Sequence, residues 1–94
     1  MTLLRIDEAK KKLGNNSGWT FETNQMTKEF QFKDFKQALD FINKIGADAE
    51  GMNHHPDIFL HSWNKVKLTL STHSEGGLTD KDISLAQKIE SHAG

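Results

Sequence analysis

The sequence predicts an α+β fold with two layers, in which three helices cover one face of a four-stranded antiparallel sheet. Two observations support this prediction. Apolar residues recur at helical spacing in three segments, and in the intervening segments they alternate with polar residues as half-buried strands do. The segments follow the order α-β-β-α-β-β-α, and strands that are consecutive in a chain favour antiparallel hairpins covered by helices on one side.

The three predicted helices have recognisable starts. The first lies within residues 3–13, and the last follows Thr79, a residue type that caps helices. The longest begins after Asp34, with Gln37 completing a capping box, and extends to about residue 50. Its apolar stripe consists of Phe35, Ala38, Leu39, Ile42, Ile45 and Ala49. Phe41 lies off this stripe, so we expect it on the outer face, where it would form a subunit contact.

The two predicted hairpins differ in the regularity of their alternation. The first covers residues 19–32 with a turn at Asn24 and Gln25, and Lys28 interrupts the apolar side of its second strand. The second covers residues 58–73. Its last strand alternates without interruption and places on one side Val66, Leu68, Leu70 and Thr72.

Length, charge and composition narrow the functional classes. We expect the 94 residues to form one domain, 1–94, because the chain is too short for two. A net charge of −1 offers no general attraction for nucleic acid or an anionic membrane. The absence of cysteine excludes disulfides and thiolate metal sites. The N-terminal segment lacks the apolar region of a signal peptide, so we expect a cytoplasmic protein.

Four of the five histidines fall between residues 54 and 73, and they are the main chemical signal. An unperturbed imidazole has a pKa of about 6.5, which suits proton transfer at neutral pH. His55 precedes Pro56 and should be extended, so the rings of His54 and His55 should point to opposite sides. A metal site is the competing hypothesis, but adjacent histidines diverge and no H-E-x-x-H motif is present.

Simpler structural roles compete for each candidate residue. His73, at the end of the last strand, is also explained as a surface or packing residue. Asp82 lies three residues after Thr79 and is suited to capping the last helix. Glu50 is also explained as a solvated residue at a helix end, and Trp63 as a core residue.

The spacing of these residues resembles the signature of the pterin-4a-carbinolamine dehydratase family. Three residues separate Glu50 from the His54-His55-Pro56 run, six precede Trp63, nine precede His73, and eight precede Asp82. The segments HHPDI, WNKVKLTLSTH and GGLTDKDISLA also look like the family, and the similarity extends from about residue 13 to residue 89. The gap of six before the tryptophan is similar to that of the bacterial or plant branch.

The resemblance implies an activity: dehydration of 4a-hydroxytetrahydrobiopterin to quinonoid dihydropterin and water, as part of tetrahydrobiopterin recycling. It implies a hydro-lyase that uses no metal and no organic cofactor, assembled as a homodimer or homotetramer. By the match, His54 and His73 transfer protons, and His55 orients the pterin and shares in proton handling. Asp82 would hold a histidine in its useful tautomer, with Glu50 as a second supporting residue.

The resemblance also implies a set of pterin contacts. They are Asn53, His54, His55, Pro56, Trp63, Ser71, Thr72, His73 and Ser74. Many relatives carry Asp where this chain has Asn53, and some carry Glu where it has Ser74. Animal relatives also act as dimerisation cofactors for a homeodomain transcription factor. That alternative function would use the outer face of the 34–50 helix, where Phe41 and Lys44 are expected.

Overall fold

The computed structural model describes residues 2–93, and it confirms the predicted α+β fold and element order. Four strands form one antiparallel sheet in the order β1-β2-β4-β3. A short 3₁₀ turn, His73–Glu75, precedes the last helix. The helices and strands are α1 (Ile6–Leu13), β1 (Thr20–Phe21), β2 (Met26–Gln31), α2 (Phe35–Met52), β3 (Asp57–His61), β4 (Lys65–Leu70) and α3 (Asp80–Ala93).

The core lies between one face of the sheet and the helices. The alternation predicted for β4 is observed, because Val66, Leu68 and Leu70 are fully buried while Lys67 is exposed. From the helices the core receives apolar side chains that include Ala9, Ala38, Ile45, Leu85, Ala86 and Ile89. None of the helices within residues 2–93 combines the length and the apolar character that crossing a bilayer requires.

The prediction that Phe41 lies on the outer face of α2 is wrong. Phe41 is only 3% exposed, and its ring centroid lies 5.1 Å from that of Phe30 and 4.7 Å from that of Phe32. The exposed apolar residues of α2 are instead Phe35 and Leu39. The helix carries two adjacent apolar stripes, and only the docked position of the helix decides which one faces the sheet.

Lys28, which interrupts the apolar side of β2, is accommodated by polar partners. Its Nζ donates to the Ser17 carbonyl at 2.7 Å and also to the carboxylate of Glu90. The same carboxylate accepts from the indole N–H of Trp19 at 3.0 Å. The amine is therefore hydrogen-bonded beside the core, and its Nζ also lies over the ring of Phe30, 4.9 Å from the ring centroid.

β3 is an edge strand with two distinct faces. Ile58 lies opposite Leu68 and Leu60 opposite Val66, so these two side chains of β3 face the helices. The alternate residues lie on the outer face of the sheet, and they are Asp57, Phe59 and His61.

Candidate active site

The C-terminus of α2 positions the two adjacent histidines. Asn53 adopts the left-handed conformation at φ 49°, which asparagine tolerates better than most residues. Its main-chain N–H donates to carbonyls of the last helical turn. The amide of His54 then donates to the Ala49 carbonyl at 3.0 Å. After this turn His54 is buried and His55 is exposed, so the two rings have different environments.

His54 is bonded to a fully buried carboxylate. Its Nε2 lies 2.6 Å from Oδ1 of Asp82, which is 0% exposed. A buried charge is tolerated when hydrogen bonds satisfy it, and Asp82 has several donors. This contact joins the segment after α2 to the first turn of α3 across 28 residues of sequence.

The second oxygen of Asp82 accepts from two threonine groups. The hydroxyl of Thr72 donates to Oδ2 at 2.7 Å, and the amide of Thr79 donates to the same oxygen at 3.0 Å. The Thr79 hydroxyl lies 2.7 Å from that of Thr72. Because the single proton of Thr72 is given to Asp82, Thr79 must be the donor between the two hydroxyls. Thr79 in turn accepts from the Lys81 amide at 3.3 Å.

Asp82 therefore has both of the roles that the sequence left open. Oδ2 accepts the amide of Thr79, as in a capping box at the start of α3, and Oδ1 holds His54. An ionised carboxylate only accepts hydrogen bonds, so the Nε2 of His54 must donate. In the neutral ring this leaves the proton on Nε2 and a lone pair on Nδ1, the arrangement a general base needs.

His73 lies directly after the threonine that binds Asp82. The amide of Thr72 donates to the Gly77 carbonyl at 2.8 Å, and the 3₁₀ turn begins at His73. Two hydrogen bonds, from His54 to Asp82 and from Asp82 to Thr72, thus bring the segments of the two histidines together. His73 is exposed, and within residues 2–93 no hydrogen bond or ion pair fixes its ring.

The remaining predicted residues near these histidines are mostly accessible. His55 pairs with the exposed carboxylate of Glu50. Ser74 is exposed, and the Ser71 hydroxyl donates to the Asn24 carbonyl at 2.6 Å. Pro56 is half-buried.

Trp63 is the one signature residue that the chain holds away from the histidines. It occupies the turn between β3 and β4, whereas His54 precedes β3 and His73 follows β4, so it lies at the opposite end of this hairpin. The six residues of β4 alone separate the two ends by about 17 Å at about 3.3 Å per residue. Trp63 is 60% exposed, so its interpretation as a core residue is wrong.

Two further observations concern ligands. Among the residues that the structure describes, no three histidine or carboxylate side chains lie close enough together to hold a metal ion. A cavity of about 700 Å³ opens between the N-terminal segment and the loop after the 3₁₀ turn. It is lined by Leu3, Leu4, Arg5, Ile6, Asp7, Lys10, Thr23, Gly76, Gly77 and Leu78, and none of the predicted site residues lines it.

The fold and the site together define a small α+β protein with a buried histidine–aspartate pair and a second, exposed histidine in an adjoining segment. The chain belongs to the pterin 4 alpha carbinolamine dehydratase family, whose model matches residues 2–92. A relative from Sulfolobus acidocaldarius is 48% identical over 83 residues, which are 88% of this chain and 90% of the relative. One from Nostoc punctiforme is 48% identical over 89 residues, which are 95% of this chain and 91% of the relative. Both carry a provisional pterin-4-alpha-carbinolamine dehydratase name.

Solved structures agree with this placement. A crystal structure from Brucella melitensis, described as a transcriptional coactivator/pterin dehydratase, is 37% identical with a TM-score of 0.89. The match covers 99% of this chain and 100% of that one. A pterin dehydratase-like RuBisCO assembly factor of the alpha-carboxysome is 21% identical with a TM-score of 0.66, covering 81% of this chain and 87% of that one. At that identity the likeness concerns the fold alone.

Proposed function

We propose that this protein dehydrates 4a-hydroxytetrahydrobiopterin to quinonoid dihydropterin and water, as a hydro-lyase of tetrahydrobiopterin recycling. The observation that carries the proposal is the buried His54–Asp82 pair, joined through Thr72 to the segment of His73. Membership of the family supports the choice of a pterin as substrate. The pair supplies a histidine with a fixed tautomer, and its neighbour His73 supplies a second, accessible imidazole.

The reaction requires one proton to be added and one to be removed. The hydroxyl on C4a leaves as water once an acid has protonated it, and the C4a–O bond breaks. The N5 proton passes to a base, and the N5 lone pair forms the new double bond to C4a. Two imidazoles in unlike environments, such as His54 and His73, can perform these transfers near neutral pH. These two proton transfers and the loss of water require no metal and no organic cofactor.

We propose that most of the pterin contacts come from the two segments that carry these histidines. Asn53, His55 and Pro56 adjoin His54 in the sequence, and Ser71 and Ser74 lie close to His73 in the sequence. The hydroxyl of Thr72 is already bonded to Asp82 and Thr79, and its main-chain N–H and carbonyl are bonded within the loop that follows, so Thr72 would contact the pterin by packing alone. We propose Glu50 as the residue that orients His55, with which it pairs.

The test is a direct assay of the purified protein on freshly generated 4a-hydroxytetrahydropterin. We expect dehydration that persists after treatment with a chelator. His54→Ala and His73→Ala should each lower the rate by about 10²-fold or more, the range typical of general acid–base groups. Full activity in both folded variants would contradict the proposed site, and activity that requires an added metal would contradict the metal-free mechanism.

A second candidate function is binding to a protein partner, such as a transcription factor. The Brucella relative is described as a transcriptional coactivator as well as a pterin dehydratase. In this chain the exposed Phe35 and Leu39 on α2 provide an apolar surface for such a role. A complex that survives His73→Ala but is lost in Phe35→Ala would favour this second function.

We further propose that the protein is cytoplasmic and that it assembles as a homodimer or homotetramer.

A further inference from the structure

The turn formed by residues 72–77, called here the His73 turn, sets the position of His73. The amide of Thr72 donates to the Gly77 carbonyl at 2.8 Å, and the amide of Gly77 donates back to the Thr72 carbonyl at 3.4 Å. These bonds close the turn at its base, and His73 is the first residue beyond Thr72. Since no hydrogen bond fixes the ring of His73 within residues 2–93, the position of the ring depends on the backbone of this turn.

The N-terminal segment contacts the His73 turn at its base. The amide of Leu4 donates to the carbonyl of Leu78 at 2.7 Å, and Leu78 is buried. The side chain of Leu3 lies against Gly77, because a Cβ atom on that glycine would be only 3.1 Å from Cδ2 of Leu3. Leu4 also packs against the hydrophobic core. The segment is therefore anchored at the point where it touches the turn.

The two glycines of the turn have different structural reasons. Gly76 has a φ of 76°, a left-handed conformation that glycine adopts without strain. Gly77 lies outside the left-handed region, so its backbone conformation does not require glycine. Its missing side chain instead leaves room for Leu3, because carbon atoms in normal contact lie about 3.5–4.0 Å apart. The base of the turn is thus shaped to receive the N-terminal segment.

The surroundings of the turn show why this support matters. On one side the Ser71 hydroxyl, one residue before the turn, is bonded to the Asn24 carbonyl at 2.6 Å. On another side the turn borders the cavity of about 700 Å³, whose lining includes Leu3, Gly76 and Gly77. Loss of the Leu3 side chain would enlarge this open space beside Gly77, and the turn could then shift into it.

We propose that Leu3 and Leu4 are positioning residues for the dehydration, which hold the His73 turn so that the imidazole stays in place for proton transfer. This inference rests on the proposed function, because that function assigns His73 to the chemistry. Leu3 contributes its side chain against Gly77, and Leu4 contributes its main-chain bond to Leu78. Position is critical for such a group, since a displacement of about 1 Å can slow a reaction about 10²-fold.

The kinetics of Leu3→Ala provide the first test. We expect kcat to fall at least about fivefold and to fall by more than KM rises. Urea denaturation should change little, because Leu3 is half exposed. Leu3→Met keeps the apolar bulk and should retain most of kcat. Thr2→Ala, an exposed position in the same segment, is the matched control and should keep the native kcat. A native kcat in Leu3→Ala would overturn the positioning role.

A double variant decides whether Leu3 acts through His73. Residues that act as a unit have non-additive effects on rate. If Leu3 works by placing this imidazole, adding Leu3→Ala to His73→Ala should change the residual rate by less than about twofold. A further loss in the double variant as large as that of Leu3→Ala alone would show that Leu3 acts elsewhere, and it would overturn the proposal.

Hydrogen exchange tests the support of the turn without reference to catalysis. We expect the amide of Thr72 to exchange at least about tenfold faster in Leu3→Ala and in Leu4→Pro, which lacks the donor to Leu78. The amide of His54, in the segment after α2, should keep its native rate. Unchanged exchange of the Thr72 amide in both folded variants would overturn the support. If the native protein lacks dehydratase activity, the proposed function fails, and the exchange rates still decide whether the N-terminal segment holds the turn.

Discussion

The Nε2 atom of His54 lies 2.6 Å from Oδ1 of Asp82, and the carboxylate is completely shielded from solvent. The other oxygen of Asp82 caps α3 and accepts from Thr72. One side chain therefore fixes the start of a helix, the end of a strand and the orientation of an imidazole. The helix cap and the histidine contact use different oxygens, so they do not compete.

Asp82→Asn should impair both the chemistry and the fold. The amide can present an N–H to His54, and the ring would then have to accept through Nε2 and carry its proton on Nδ1. We expect dehydration to slow by about 10²-fold and the free energy of unfolding to fall by about 1–3 kcal/mol, since buried hydrogen bonds are lost. Urea denaturation and ¹⁵N NMR of the imidazole measure these effects. A native rate together with an unchanged tautomer would contradict the role of Asp82.

Thr72→Val should affect turnover more than binding. Valine has nearly the shape of threonine but removes the hydroxyl that donates to Asp82 and accepts from Thr79. We expect kcat to fall and KM to change little, because His54 loses part of its support while the pterin contacts remain. Thr72→Ser keeps the hydroxyl and should retain most of kcat. Steady-state kinetics of both variants provide the check, and equal kcat values for the two would count against this chain of hydrogen bonds.

The two phenylalanines of α2 should respond differently to truncation. Phe41 packs against Phe30 and Phe32 in the core, so Phe41→Ala should lower the free energy of unfolding by about 3–5 kcal/mol. Phe35 is 48% exposed, and Phe35→Ala should change the free energy of unfolding by no more than about 0.5 kcal/mol. Urea denaturation at several protein concentrations gives both values. A large, concentration-dependent loss in Phe35→Ala would instead indicate a subunit contact on this face.

Glu50→Gln should have little effect on stability. The carboxylate of Glu50 and the ring of His55 form a pair that is open to solvent, and exposed pairs of this kind contribute about 0–1 kcal/mol. We expect a modest rise in KM if Glu50 orients His55 for the pterin. Thermal denaturation and steady-state kinetics measure the two effects. A large loss of stability with unchanged kinetics would show that the pair is structural.

The element order and the sheet were predictable because the apolar periods of this chain are regular. The clean alternation of Val66, Leu68 and Leu70 is enough to specify the buried face of β4. The exposed face of α2 was not predictable, since Phe41 and Phe35 belong to adjacent stripes of similar apolar character. Only docking against Phe30 and Phe32 on the sheet side distinguishes them.

The site was predictable only in part. A histidine-rich segment and the Thr79-x-x-Asp82 spacing are visible in the sequence, but local spacing cannot show that Asp82 reaches His54 across 28 residues. The hydroxyl of Thr79 was predicted only to cap a helix, and its bond to Thr72 depends on the tertiary fold. The separation of Trp63 from the histidines likewise follows from the β3–β4 hairpin.

The dehydration rate of His54→Ala relative to that of His92→Ala tests the central claim most directly. His92 also pairs with an aspartate, Asp48 at 2.6 Å, but this pair joins α3 to α2 and lies outside the proposed site. We predict that His92→Ala keeps nearly the native rate on 4a-hydroxytetrahydropterin, whereas His54→Ala loses about 10²-fold or more. Equal rates in the two folded variants would contradict the assignment of His54 to the chemistry.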